Sequence, residues 1–164
     1  MKEEVFRHAE KKDTEAILAM YRKCVAQGEI DGSSDWDEEY PSRETIDFDL
    51  SVNGLYVLEQ EGEIVAAISL VEHDDLDELE GWQPVRSCVP ARLCVLPERR
   101  GMGIARRMVE AMLREARENG FQATRHLSSK SNLRSTALYQ KMGFRRIGET
   151  HLYDTDFWMF EMLL

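Results

Sequence analysis

A mixed α/β fold, α+β in arrangement and built around a single sheet, is what this 164-residue chain predicts. Three observations carry that expectation. Strand-like and helical stretches follow one another along the chain. Two strand-like runs within LYVLEQEGEIVAAISLVEH are joined by the turn Glu61-Gly62, and no repeat, low-complexity tract or Pro/Gly/Ser linker divides the sequence. A hydrophobic content of 43% supports a core, and the length matches one domain, residues 1–164, on a prior of about 100–200 residues per domain.

Taken in order, Val5–Ala9 predicts a strand, and Asp13 caps a helix whose apolar positions Ile17, Met20, Tyr21 and Cys24 recur at helical spacing. Residues 27–42 are rich in turn formers and acids around Trp36 and Tyr40 and predict a loop before a short helix, Arg43–Leu50. The second hairpin run is almost wholly apolar, as a strand buried on both faces would be. The acidic loop HDDLDELEGWQP leads to a third strand, Val85–Leu96. A second long helix follows, with Ile104, Met108, Met112, Leu113 and Ala116 on one face and Arg106, Glu110 and Arg114 at pairing distance on another, and Gly120 stops it. Gln122–Ser128 predicts a strand. Asn132 then caps a helix with Leu133, Ala137, Leu138 and Met142 facing inward and Gly143 at its end, before strands at Phe144–Gly148 and Phe157–Leu163.

Charge is unevenly placed. The net charge is −10, yet residues 85–146 carry 14 Lys/Arg against 4 Asp/Glu, while residues 1–84 carry 7 against 23. A basic block inside an acidic protein suits a polyanionic ligand or a solvated face; nucleic acid is disfavoured, because the rest of the chain repels phosphates and no aromatic run accompanies the arginines. The charged start MKEEVFRHAE and the absence of any membrane-length apolar window point to a soluble, cytoplasmic protein. Cys24, Cys88 and Cys94 are odd in number, lack CxxC spacing and have no nearby histidine pair, so neither disulfides nor a metal site is expected.

The most informative stretch is LCVLPERRGMGIARRMV, Leu93 to Val109: a strand, a Gly-x-Gly turn and a helix. That order places unpaired backbone N–H groups and the positive end of the helix dipole at one point, which favours an anion. Gly101 and Gly103 permit left-handed dihedrals and close ligand approach. The turn is neither GxxxxGK[ST] nor GxGxxG, since Arg106 occupies the third glycine position.

Arg100 to Ala105, RGMGIA, resembles the R/Q-x-x-G-x-G/A pyrophosphate loop of the GNAT superfamily of N-acetyltransferases, and LCVLP resembles the strand before it. Downstream, NLRSTALYQKMGF is similar to that family's second signature, an Asn-led helix with Leu-Tyr and then Gly-Phe. The resemblance implies a GNAT-like acyl-CoA N-acyltransferase fold with a mostly antiparallel central sheet flanked by helices, and transfer of an acetyl group from acetyl-CoA to a primary amine. It further implies that backbone amides of Arg100, Gly101, Met102, Gly103, Ile104 and Ala105 hold the pyrophosphate, with Arg99, Arg106 and Arg107 helping electrostatically. Leu93, Cys94 and Val95 would bind the pantetheine arm through their backbone, and Asn132, also a plain helix cap, would contact the cofactor. Tyr139 matches the general acid: expelling a thiolate of pKa roughly 8.5 calls for a proton, which a phenol of pKa about 10 can give.

One position departs from the pattern. Where peptide N-terminal acetyltransferases of the superfamily carry a basic glutamate, this chain has Leu127, leaving Glu72, His73 or a water relay as the base. A CoA-binding regulatory module without turnover is the competing class. The acidic segments QGEIDGSSDWDEEY and HDDLDELEG suit a cationic amine, with Trp36 or Tyr40 as a cation–π surface, or else a merely solvated face. The apolar C-terminal run FWMFEMLL is a candidate homodimer edge.

Overall fold

The computed structural model describes residues 3–31, 36–72 and 75–164. Among these lie seven strands in one sheet and four α-helices: β1 Glu4–His8, α1 Thr14–Asp31, α2 Arg43–Ser51, β2 Leu55–Gln60, β3 Glu63–Val71, β4 Ser87–Val95, α3 Ile104–Glu118, β5 Ala123–Ser129, α4 Leu133–Lys141, β6 Arg145–Leu152 and β7 Thr155–Leu163. Strand order is β1-β2-β3-β4-β5-β7-β6, antiparallel throughout except where β4 runs parallel to β5. The mixed, mostly antiparallel sheet predicted from the sequence is therefore present.

The hairpin forms as expected. Both turn residues, Glu61 (φ 52°) and Gly62 (φ 83°), take the left-handed region that a tight β2–β3 connection needs. Val65 to Ser69 of β3 are buried in succession, so both faces of that strand are covered, and α1 and α3 both pack on β3 and β4. The apolar stripe of α3 is buried at all five predicted positions. At its end, Gly120 N–H bonds Arg117 O (3.0 Å) and Phe121 N–H bonds Ala116 O (3.0 Å), satisfying carbonyls the helix leaves open.

Several local expectations are corrected. Helix α1 continues to Asp31, so residues 27–31 are helical and the loop begins later. Asp13 does not cap it: its carboxylate turns back to accept from Glu10 N (2.7 Å) and from Arg7 (2.8 and 3.1 Å), closing a 3₁₀ turn at Lys11–Asp13. Arg7 also reaches Glu59 of β2 (2.6 Å), and that pull across the sheet turns the acid away from the helix start. In α4, Leu133 is 76% exposed and Ala137 is exposed as well. Leu138 and Met142 pack against the core as predicted, and the inward face also carries Ser135, Thr136 and Tyr139, because Ser128 Oγ on β5 pairs with the hydroxyls of Ser135 (3.1 Å) and Thr136 (2.9 Å). Finally, β7 lies between β5 and β6 and is hydrogen-bonded on both sides, so it is not an edge; β1 and β6 are. Met159 and Phe160 are in the core, Trp158 and Met162 pack against it, and Leu163 at the strand's end is exposed.

Candidate active site

The site begins where the sheet opens. β4 and β5 pair only at Ser87↔Ala123 and Cys88↔Thr124, and beyond those residues no ladder joins them. Parallel strands that diverge leave backbone N–H and C=O groups facing a gap, which is where an extended ligand adds as though it were a strand. Pro90, within β4, has no N–H to orphan there. His126 crosses the gap, its Nδ1 donating to Pro90 O at 3.2 Å.

Further along β4 the register slips by one residue: Ser69 faces Ala91 but Ala67 faces Cys94. The extra residue makes a bulge, and Arg92 takes φ 52° within it. A left-handed arginine is strained, and here its side chain is clamped. The guanidinium grips Asp49 of α2, Nη2 to both carboxylate oxygens (2.7 and 2.8 Å) and Nε to one (3.2 Å), while Ser69 Oγ donates to the same carboxylate (2.7 Å). Asp49 is only 1% exposed. The remaining arm, Nη1, donates to the hydroxyl of Tyr40 (3.2 Å). Past the bulge come Leu93, Cys94 and Val95.

After Val95 the chain makes a 3₁₀ turn at Pro97–Arg99 and enters the glycine turn. Gly101 (φ 82°) and Gly103 (φ 74°) are both left-handed and exposed. A Cβ on Gly101 would meet nothing within 4 Å, and one on Gly103 only the tip of Arg107 at 3.4 Å, so the space above the turn is open. Gly103 is the N-cap of α3 and offers no side-chain cap, so no capping side chain covers the amides of the first turn. An anionic group fits this cradle, as the resemblance implies, and Arg100, Met102, Ile104 and Ala105 border it along the chain. The arginines are more committed than the sequence suggested. Arg99 pairs with Glu63 (3.0 Å), Arg106 with Glu110 (3.0 Å) and Arg107 with Glu4 (2.9 Å).

At the other wall, Asn132 caps α4, its side chain accepting from Ser135 N (3.1 Å). Tyr139 is 1% exposed, and its hydroxyl has no hydrogen-bond partner among the described residues. Its ring stacks on His126 with centroids 3.8 Å apart and meets Phe144 edge-on at 5.0 Å. Burial pushes the phenol pKa well above its ordinary value. It holds the His126 imidazole down at about 4, so that ring is neutral near pH 7, with Nδ1 protonated toward Pro90 and Nε2 unpartnered. Among the described residues the Tyr139 hydroxyl and the His126 Nε2 are both buried without a hydrogen-bond partner, which makes this pair a candidate for function.

The candidates for the base fare differently. Leu127 pairs with Met159 in the sheet and brings no carboxylate. Glu72 gives both oxygens to Arg86 (3.1 and 3.2 Å), near the end of β4 where the sheet is still closed. His73 lies outside the described residues. Of the aromatic pair, Trp36 packs edge-on against buried Tyr21 (5.4 Å), whereas Tyr40 is 44% exposed. Asp37 is taken up in accepting from Glu39 N and Tyr40 N (2.8 Å each), and Asp77 pairs with Arg125 (3.6 Å). Among the described residues no cluster of His, Cys, Asp or Glu is placed to hold a metal ion, and no helix is long and apolar enough to cross a membrane.

Sequence reasoning missed Asp49, Arg92 and His126. Their roles rest on contacts spanning 43 and 36 positions. The one local signal was Arg92, a charged residue inside the apolar run Cys88–Val95.

This geometry agrees with what the chain is similar to. No curated protein matches it in sequence. Among solved structures, an acetyltransferase of the GNAT family from Streptococcus agalactiae superposes with a TM-score of 0.85 at 18% identity, covering 98% of this chain and 95% of the other. YncA from Salmonella typhimurium, a putative acetyltransferase solved with its cofactor acetyl-CoA, gives 0.75 at 17%, covering 99% and 94%. The ribosomal-protein-S18-alanine N-acetyltransferase from Escherichia coli gives 0.73 at 16%, covering 98% and 94%. These likenesses establish the fold. A sequence model of the family described as Acetyltransferase (GNAT) matches residues 14–144, spanning α1, the bulged strand, the glycine turn and Tyr139. The strand, turn and helix that open on the split sheet are thus those of an acetyl-CoA-dependent enzyme family, and the chain belongs to the GNAT acetyltransferases.

Proposed function

We propose that this protein transfers the acetyl group of acetyl-CoA to a primary amine by direct attack, with Tyr139 as the acid. The observation that carries this reading is the uncapped start of α3 behind two left-handed glycines, opening onto the β4–β5 gap whose far wall holds Tyr139. Bound acetyl-CoA supplies an acyl carbon already activated as a thioester. The amides of Arg100–Ala105 hold its pyrophosphate, the backbone of Leu93–Val95 orients the pantetheine arm, and Asn132 contacts it beyond the thioester.

Tyr139 Oη holds a proton where the sulfur departs. Burial keeps that proton on the phenol across the working pH range and removes competing water, at the cost of a weaker acid. The acceptor amine must arrive as free base. With Leu127 apolar and Glu72 bound to Arg86, we assign removal of its proton to water. The acceptor enters beside Tyr40, where exposed Glu38 and Glu39 favour a cationic amine. The functional unit is residues 1–164, and the protein works in the cytoplasm.

A thiol-release assay with acetyl-CoA over a panel of amines tests this. Amine-dependent release of CoA is expected, greatest for polycationic acceptors. Binding of acetyl-CoA with no release on any amine would instead support a CoA-binding regulatory module. An equal preference for carboxylate-rich acceptors would remove the argument from charge.

A further inference from the structure

Cys24 and Cys94 are 70 residues apart in sequence, yet their sulfurs stand 2.9 Å apart between α1 and β4. That is inside the contact distance of two thiols, and a bond length of about 2.05 Å is reached by a shift of less than about 1 Å. Cys24 is half-buried and also reaches Val95 O at 3.3 Å; Cys94 is 2% exposed. We propose that Cys24 and Cys94 are a reversible oxidation site, closed to a disulfide by hydroperoxides, and that closure weakens acetyl-CoA binding.

The chemistry distinguishes the two sulfurs. Cys24 is the accessible one, and the hydrogen bond from Cys94, helped by the charge of Arg100, holds its thiol below the ordinary range. Burial pushes Cys94 up. Cys24 thiolate therefore attacks the peroxide oxygen, giving a sulfenic acid and hydroxide as the O–O bond breaks. Cys94 then attacks that sulfur, forming the S–S bond and releasing water. The peroxide supplies both oxidising equivalents. Cys88, which burial pushes up to about 12, belongs to a separate core cluster and takes no part.

The consequence for binding rests on the cradle proposed above; the bond itself does not. Cys94 sits between the Arg92 bulge and the Pro97 turn, in the strand whose backbone faces the gap. Closing the sulfurs draws that strand toward α1 and removes the Cys24 donation to Val95 O. Displacing backbone donors from a bound ligand lowers its affinity, and by linkage bound acetyl-CoA should slow closure.

The test treats the reduced full chain with hydrogen peroxide. Free thiols should fall from three to one, with a Cys24–Cys94 crosslinked peptide in the digest. The acetyl-CoA Kd should rise by ~10-fold, within the usual range of coupling between sites, and dithiothreitol should restore it. Cys24→Ser should bind like the reduced protein and ignore peroxide. No crosslink, or overoxidation of Cys24 alone, overturns the proposal; a crosslink with unchanged affinity overturns its coupling to the cofactor. If the reduced protein binds no acetyl-CoA, it is the cradle that fails, and the crosslink still decides the thiol pair.

Discussion

On the side of the gap assigned to the cofactor, Leu93 to Ala105 is one unbroken run of chain in which backbone groups do the binding. On the side assigned to the acceptor, Tyr40, Asp49, Ser69 and Arg92 come from separate elements and are held by side-chain contacts. The difference teaches where fragility lies. A backbone cradle tolerates most side-chain changes and fails where a side chain would block the turn. An assembled wall fails when one partner is lost, because what remains is a buried charge.

The largest effect is therefore expected at Asp49. Asp49→Ala leaves the guanidinium of Arg92 without its partner, in a strained backbone and only 14% exposed. Removing one member of a buried pair costs about 3–5 kcal/mol, and a denaturant melt should show a loss of that order. Replacing both, as Asp49→Leu with Arg92→Met, should cost distinctly less. A single mutant as stable as wild type would break the comparison.

The same contrast explains what could be read from the sequence. The Glu61-Gly62 hairpin turn, the glycine turn, the stripe of α3 and the Asn132 cap were legible because each is local: periodicity, a dipeptide turn, or residues within a few positions. The Arg92–Asp49 clamp, His126 spanning to Pro90, and the two close thiols were not, since nothing in a one-dimensional pattern pairs residues 36, 43 or 70 apart. Periodicity even misled at α4, where apolar Leu133 and Ala137 point outward. There the hydroxyls of Ser135 and Thr136 take the inner face, which a rule that buries apolar residues cannot anticipate.

Next in size is Tyr139→Phe, expected to lower kcat by roughly 10²-fold, the lower end of about 10²–10⁴ for a lost general acid, with acetyl-CoA affinity little changed. The ring keeps its packing on His126 and Phe144, so no cavity confounds the result. The pH profile sharpens it. If chemistry limits the rate, kcat/KM should rise as an amine of pKa near 10 loses its proton. Tyr139 stays protonated beyond that, because its pKa is raised, so no descending limb should appear within the ordinary phenol range. A fall near pH 10 in wild type, absent from the mutant, would show that the hydroxyl is wetter than its burial implies. A mutant with wild-type kcat would return Tyr139 to a packing role.

Gly103→Val tests the cradle itself. The φ of 74° costs a side chain about 1–2 kcal/mol, yet its Cβ meets only a flexible arginine tip, so the fold should survive. Acetyl-CoA affinity by calorimetry should drop by ~10–100-fold, because a branched side chain occupies the space over the first-turn amides. Unchanged affinity in a folded variant would move the cofactor elsewhere.

The smallest effect is the dependence of acetyl-CoA binding on salt, and it decides whether arginine charge or backbone geometry dominates the cradle. Four arginines near a pyrophosphate suggest steep screening. Three of them, however, face carboxylates: Arg99 with Glu63, Arg106 with Glu110 and Arg107 with Glu4. Exposed pairs of this kind are worth only about 0–1 kcal/mol, so a guanidinium can leave its carboxylate for a phosphate at little cost. The carboxylate then stays nearby and repels the same phosphate, and the net electrostatic gain is small either way. Between roughly 0.05 and 0.5 M salt, affinity should fall by only ~2–3-fold, since most of the attraction comes from short-range N–H contacts that ions screen poorly. Glu63→Gln and Glu4→Gln, by removing the repelling charge without moving the arginines, should tighten low-salt binding and steepen the slope. A wild-type slope as steep as that of the two variants would mean that the pairs dissolve on binding, and that charge rather than the turn's geometry holds the ligand.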